Sequence, residues 1–241
     1  MRISLSIRLA VLTAAILSGA CGPPVSEKSE FRHDNGAGVV QASNPSSGAR
    51  QNPAGSAAPA GRYKVIAANS RMVAAVASGG MFSKLGHDHA IALGGLTGEV
   101  ELAPGDEKSS LRLTIEAGTA AETGKEFDEK DRAKVNQAVR EEALETGKYP
   151  QIAFKSTRIV AEGGGAKSQR YRITGELTLH GVTNRVEIPA QVRVSGNRLQ
   201  AHADFVIFHT AYGIKRLSAV GGTIKAKNPI RITCDVVAEK E

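Results

Sequence analysis

Apolar and polar residues change places at every second position through most of the chain beyond residue 61, and this rhythm restricts the fold more than any other feature. Leu111, Leu113, Ile115 and Ala117 alternate with Arg112, Thr114 and Glu116. Val182, Val186, Ile188, Ala190, Val192 and Val194 share one parity, with Thr183, Arg185, Glu187, Gln191 and Arg193 on the other. Leu96, Gly98, Val100 and Leu102 repeat the pattern, as do Tyr171, Ile173, Leu177 and Leu179, and Ile230, Ile232, Cys234 and Val236. Side chains two apart on an extended strand point the same way, so each segment is a strand with one wet and one dry face. Weaker strand patterns lie at residues 62–68, 71–77, 88–93, 151–160 and 198–208.

One stretch argues for a helix. Thr123 and Glu126 are spaced as a capping box, and Phe127, Val135, Ala138, Val139 and Leu144 follow at helical spacing until Gly147. Pro150 then returns the chain to an extended form. A single helix cannot cover the dry faces of about eight strands. Short turns at Pro104-Gly105-Asp106 and His180-Gly181 join neighbours antiparallel. Two architectures remain, a sandwich of two sheets or one sheet closed into a barrel. With about eight strands a barrel either fills itself with side chains or holds one small ligand.

The first 20 residues read as an export signal. Arg2 and Arg8 precede an apolar run from Leu9 to Leu17, and Ser18, Gly19 and Ala20 are small. The run is shorter than the roughly 20 residues a membrane-spanning helix needs. Cys21 follows directly, so Leu17-Ser18-Gly19-Ala20-Cys21 is similar to a bacterial lipoprotein cleavage box, with lipidation expected at Cys21. Gly22 after it lacks the aspartate of inner-membrane retention, which favours the outer membrane. Residues 22–61 are rich in Pro, Gly, Ser and Ala, the composition of a disordered linker. Such a tether reaches roughly 35 Å. The expected organisation is thus a signal over 1–20, a lipid-attachment cysteine and linker over 21–61, and one domain over 62–241. Cys234 is the second of two cysteines and reads as a buried apolar thiol in the last strand.

The net charge is +7, and loss of Arg2 and Arg8 leaves +5, spread along the chain without a basic cluster or any Trp. That argues against nucleic acid as a partner. No Gly-x-Ser-x-Gly and no phosphate-binding glycine loop is present, and Gly163-Gly164-Gly165 reads as a hairpin tip. The expectation is a binding protein, not an enzyme, with no cofactor. The nearest approach to metal chemistry is Gly86-His87-Asp88-His89, where His87 and His89 share a strand face. With a third ligand from His180, His202 or His209 they would form a metal site, the rival reading. Alternatively, their imidazoles contact a lipid headgroup, or, with Gly86 and Asp88 as turn formers, the rings stand in water on a plain polar loop.

Lys148-Tyr149-Pro150 with Ile152 and Phe154, then Gly175-Glu176-Leu177-Thr178-Leu179-His180-Gly181-Val182-Thr183, then Val186 and Tyr212-Gly213-Ile214, resemble in wording and order the signature of the YceI-like family. The resemblance spans residues 62 to 238. It implies an all-β fold, an antiparallel lipocalin-like barrel of about eight strands with one α-helix inserted between strands. It also implies periplasmic export and an apolar tunnel for a polyisoprenoid or other long-chain lipid. Residues expected to meet the ligand are Phe154, Leu177, Leu179, Val186, Phe205, Ile207 or Phe208, Tyr212 and Ile214, with His87 and His89 at the headgroup. The chain departs from the family pattern at Tyr63-Lys64-Val65 through Asn69-Ser70 and at His209-Thr210-Ala211-Tyr212. The implied partners are the lipid and, through Cys21, a membrane; a homodimer is left open.

Overall fold

A computed structural model describes residues 60–79, 87–104, 108–165, 168–216, 218–219 and 224–241. In chain order the strands are β1 (Gly61–Val65), β2 (Arg71–Gly79), β3 (His89–Leu93), β4 (Thr97–Leu102), β5 (Ser110–Glu116) and the short β6 (Ala121–Glu122). Helix α1 (Glu129–Ala138) follows and runs on into a π-helical turn, Val139–Ala143. Then come β7 (Gln151–Gly165), β8 (Ser168–Leu179), β9 (Val182–Ser195), β10 (Arg198–Phe208), the two-residue β11 (Ser218–Ala219) and β12 (Ile224–Lys240).

Eight of these strands close a ring. Antiparallel pairing runs β1-β4-β5-β7-β8-β9-β10-β12 and returns from β12 to β1. Closure leaves no free edge in the ring, and the alternating residues place their dry face inside. The expected barrel is therefore the observed one, and α1 is inserted between β6 and β7 as expected. Each weak strand pattern in the sequence contains a strand, although that at 62–68 ends at Val65 and gives way to a 3-10 turn over Ala67–Asn69.

The ring is not uniform along its length. β12 has 17 residues and uses one edge twice, pairing with β1 through Ala238–Lys240 and with β2 through Lys225–Asp235. Ser70 sits at the fork. Its hydroxyl contacts the Ile66 carbonyl at 2.9 Å and accepts from the Val237 N–H at 3.0 Å. Beyond the fork β2 leads to β3 and β6, while β1 leads to β4. A second opening lies two strands away around the ring. β9 pairs with β10 only from Ala190 to Ser195, and Pro189, which has no N–H to donate, stands where the two part. The turn His209–Tyr212 fills that gap, with the Asn184 amide donating to the Ala211 carbonyl at 2.9 Å.

The barrel is therefore packed at one end and splayed at the other. Tyr63, Leu199 and Ala238 are fully enclosed at the end where β12 finishes. At the other end α1 lies across the opening. Its start differs from the sequence expectation: Asp128, not Thr123, is the N-cap, accepting from the Asp131 N–H at 2.7 Å. The Thr123 hydroxyl and N–H both bond the Ala90 carbonyl, at 2.8 and 2.9 Å, so tertiary pairing to β3 takes the residue that local spacing would assign to the cap. Phe127 thereby falls before the helix.

Candidate binding cavity

No residue of α1 is buried, although Val135 and Ala138 lie on it and Val139 follows. Their apolar faces look onto a cavity of about 530 Å³, inside the range of roughly 300–1,000 Å³ typical of small-molecule sites. Its walls come from the splayed end: Ala74 and Val76 of β2, Ile91 and Leu93 of β3, Phe127, the helix, Leu179, Ile207, Ile214 and Ile230. A second chamber of about 80 Å³ lies deeper in the ring, between Leu111, Leu113, Phe154, Ile173, Ala190, Ala203 and Cys234. Met72, Ile152, Leu177 and Phe205 line both chambers. The four form a waist, and the two spaces are neighbours across it.

The predicted wall residues divide by depth. Phe154 lines the inner chamber, Leu177 and Phe205 the waist, Leu179 and Ile214 the outer chamber. Three expectations are corrected. Phe208 is 54% exposed and faces solvent beside Val206, because the period of β10 turns Phe205 and Ile207 inward. Val186 has the correct parity but sits above the point where β9 leaves β10, half-buried against the core and lining neither chamber. Tyr212 is buried but is a structural plug of the gap, its carbonyl accepting from His180 Nδ1 at 3.2 Å. Cys21 lies outside the described residues. Cys234 is buried as expected, and burial, then the neighbouring Asp235 charge, pushes its thiol up to about 12.

Sequence reasoning missed the β2 wall, the waist residues Met72 and Ile152, and the buried Glu122. A small-residue run such as Ala74-Ala75-Val76-Ala77 carries weak strand periodicity, and Glu122 is held by His89 and Ala90, more than 30 residues away, which no local pattern announces.

Polar groups gather at the outer rim. His87 and His89 both line the outer chamber and share Phe127, which stacks on the His89 ring at 5.0 Å and meets the His87 ring edge-on at 5.6 Å. His89 Nδ1 faces Glu122 Oε2 at 2.8 Å. Burial pushes the Glu122 carboxyl up. Hydrogen bonds from the Gly124 N–H at 2.7 Å, the His89 ring and the Ala90 N–H at 3.1 Å outweigh that penalty and hold it below the ordinary carboxylate value. The carboxylate thus fixes the His89 ring with Nδ1–H as donor, leaving Nε2 on the far side.

Of the three histidines considered as further metal ligands, two lie away from the cavity wall and one is on it. His180 bonds Glu145 at 2.5 Å, and His202 bonds Asp235 at 2.7 Å on the outer surface. His209 lines the same chamber as His87 and His89, with Nδ1 on the Ile214 carbonyl at 3.0 Å. Among the described residues no three His, Cys, Asp or Glu side chains are arranged to hold a metal ion.

Comparison with known proteins gives the same fold. A family model described as "YceI-like domain" matches residues 63–238. A UPF0312 protein of Vibrio parahaemolyticus is 43% identical over 54 residues, which are 22% of this chain and 26% of the relative. A UPF0312 protein of Vibrio campbellii is 41% identical over 54 residues, with the same coverage. The chain thus spans about a quarter of the length of these curated relatives. Among solved structures, Burkholderia cenocepacia BcnA superposes with a TM-score of 0.55 at 20% identity, covering 72% of this chain and 98% of that one. A polyisoprenoid binding domain from Saccharophagus degradans superposes with a TM-score of 0.54 at 16% identity, covering 74% and 98%. At these identities the likeness is one of fold.

Proposed function

This chain belongs to the YceI-like family, and from that premise we propose that it binds a polyisoprenoid or other long-chain amphiphilic lipid inside its barrel without chemical turnover. One observation carries the reading. The apolar face of α1 and the turn after it is only partly taken up by packing on the core and also encloses a space, and that space adjoins a deeper apolar chamber across a shared waist. Each methylene moved from water into such a space contributes roughly 0.8 kcal/mol. A chain of linked methylenes is a guest whose shape suits two adjoining chambers. The Saccharophagus degradans domain of the same fold is a polyisoprenoid binding domain, and that ligand class suits these walls.

The sequence of the first 61 residues supports an exported, membrane-tethered form, anchored through lipidated Cys21 on the periplasmic side of the envelope. Native mass spectrometry with lipid extraction, run beside elemental analysis, tests the binding reading. Co-purifying long-chain lipid without stoichiometric metal supports it. Zinc, copper or iron near one per chain, lost in the His87→Ala/His89→Ala variant, would replace it with the metal reading. Failure of Cys21→Ser to release the protein from the membrane fraction would reject the anchor.

A further inference from the structure

Among the described residues only three large apolar side chains stand exposed, Val182 at 38%, Val206 at 53% and Phe208 at 54%, and all three lie at the splayed end. Val206 and Phe208 project from the outer face of β10, and Pro229, also exposed, stands opposite Phe208 on β12. Val182 begins β9 beside the turn that follows Phe208, where a Cβ built on Gly213 would lie 4.0 Å from Val182 Cγ2. An exposed apolar residue here and there is ordinary, whereas their concentration at one end of a barrel marks a contact surface.

The positive charge is uneven in the same way. Between Asp204 and Asp235 the sequence has no Asp or Glu and carries Lys215, Arg216, Lys225, Lys227 and Arg231. Arg231 is neutralised by Asp204, its Nε donating to Oδ1 at 2.8 Å. The other four are exposed and make no ion pair among the described residues. Lys215 and Lys225 also line the outer chamber, so cations border both the apolar patch and the entrance. One acid, Asp88, lies near the end of β2 and accepts from the Ser78 N–H at 2.9 Å. The remaining acids of this end sit apart, on α1 and its π-helical turn at Glu129, Asp131, Glu141 and Glu142. The lip made by β10, the His209–Tyr212 turn and β12 is therefore the positive side of the mouth.

An N-terminal tether does not decide which end of the barrel meets a membrane. The chain enters at the packed end, where Lys240 Nζ donates to the Ala60 carbonyl at 3.0 Å. A linker reaching roughly 35 Å is about as long as β10, so either end could turn to the surface. We propose that the lip carrying Phe208 docks on a bilayer rich in anionic lipid. Phe208 and Val206 enter the headgroup layer, and Lys215, Arg216, Lys225 and Lys227 lie against its phosphates. Buried apolar area and attraction to anionic lipid hold such a surface together. Docked in this way, the mouth opens on the bilayer, and on the cavity reading a guest passes between the two without crossing water. The docking itself needs no guest.

The chain has no Trp, so Phe208→Trp puts a single fluorescent reporter in the patch and keeps its apolar character. Gln200→Trp puts one on the same outer face of β10 near the packed end, about 26 Å away. Both positions are exposed, so neither change disturbs the core. Each full-length chain is mixed with vesicles whose phosphatidylcholine has brominated tails, with or without an equal part of phosphatidylglycerol. On the anionic vesicles Phe208→Trp should shift to the blue and be quenched, and Gln200→Trp should do neither. Any anchor holds the two chains alike, so the difference between them belongs to the face. Adding Arg216→Gln/Lys227→Gln, which lie outside both chamber walls, should weaken docking about 25-fold, fivefold for each cation at an anionic surface. About 0.5 M salt should weaken it likewise. Quenching of both reporters or of neither overturns the proposal, as does equal quenching of Phe208→Trp on phosphatidylcholine alone. A dimer in sedimentation velocity without vesicles, dissolved by Val206→Asp/Phe208→Asp, assigns the face to a second copy of the chain and also overturns it. Whether the cavity holds lipid is read separately, by co-purification, and survives any of these results.

Discussion

The ring of Phe154 lies over the bare backbone of Gly175 on the adjacent strand, so close that a Cβ built on Gly175 would fall 2.5 Å from Phe154 Cζ. The same Cβ would meet the Lys155 carbonyl oxygen at 2.5 Å. Phe154 pairs across β7 and β8 with Leu177 and covers Gly175 diagonally. The missing side chain is what lets an aromatic ring lie along the wall of the inner chamber instead of projecting across it.

Gly175→Ala should therefore cost about 1–3 kcal/mol, as overpacking does, and should push Phe154 into the inner chamber. Urea unfolding of Gly175→Ala, Phe154→Ala and the double variant separates the two contacts. Part of the glycine penalty should vanish when the ring is gone, and the remainder belongs to the Lys155 carbonyl. Strict additivity would show that ring and glycine are not coupled.

The waist makes a second, sharper expectation. Leu177 borders both chambers, so Leu177→Trp should close the passage between them at a cost of about 1–3 kcal/mol. Decanol, short enough for the outer chamber, should still bind. Geranylgeraniol should lose most of its affinity in the same native mass spectrometry assay. Equal loss of both would mean that Leu177 does not separate long guests from short ones.

The strands were legible because their signal is local: the parity of Leu111 to Ala117 or of Val186 to Val194 needs nothing beyond the strand itself, whereas closure into a barrel was implied by the resemblance to the YceI-like family and not by parity. Where parity is ambiguous, reading fails. Phe205-Val206-Ile207-Phe208 is apolar at every position, and only the assembled strand shows that Ile207 faces in and Phe208 out. Val186 was given the correct face, but no sequence pattern says that β9 parts from β10 at Pro189 and leaves Val186 beside the cavity. The helix start failed for a similar reason. Thr123 is a good cap by spacing, but the Ala90 carbonyl, 33 residues away, claims its hydroxyl. The histidines stand out in the sequence, but the partners of His89, His180 and His202, namely Glu122, Glu145 and Asp235, come from elsewhere in the chain.

His180 ties together three pieces of the splayed end. It turns the β8–β9 hairpin with φ 53°, followed by Gly181 at φ 75°, the pair of positive angles a two-residue hairpin of this kind requires. Its ring bonds Glu145 Oε2 at 2.5 Å and the Tyr212 carbonyl at 3.2 Å, and it packs on Tyr149 with centroids 4.4 Å apart. His180→Ala should cost about 1–3 kcal/mol. Its effect should be local. Amide exchange should quicken over residues 139–149 and 209–214, while the β8–β9 and β10–β12 ladders keep their protection. Uniform loss of protection would show that His180 supports the whole ring instead of its mouth.

Glu122 gives the splayed end an acid-sensitive limb. Its carboxyl is 2% exposed by residue and is held below its ordinary value of 4.5, because donors from Gly124, His89 and Ala90 outweigh the cost of burial. The sign follows from linkage. A carboxyl whose folded value is depressed binds its proton more readily in the unfolded chain, so its stabilisation is present in full above about pH 4.5 and is lost as the pH falls through the folded value. Glu122→Gln keeps the shape of the side chain but removes the charge that receives those donors. It should lower stability by about 1–3 kcal/mol at pH 7, and urea midpoints measured from pH 7 down to pH 3 should show the wild-type and variant curves converging at the acid end. Curves that stay parallel would mean that the carboxylate's charge does not stabilise the β3–β6 pairing, and the His89 ring would then need another explanation for its orientation beside Phe127.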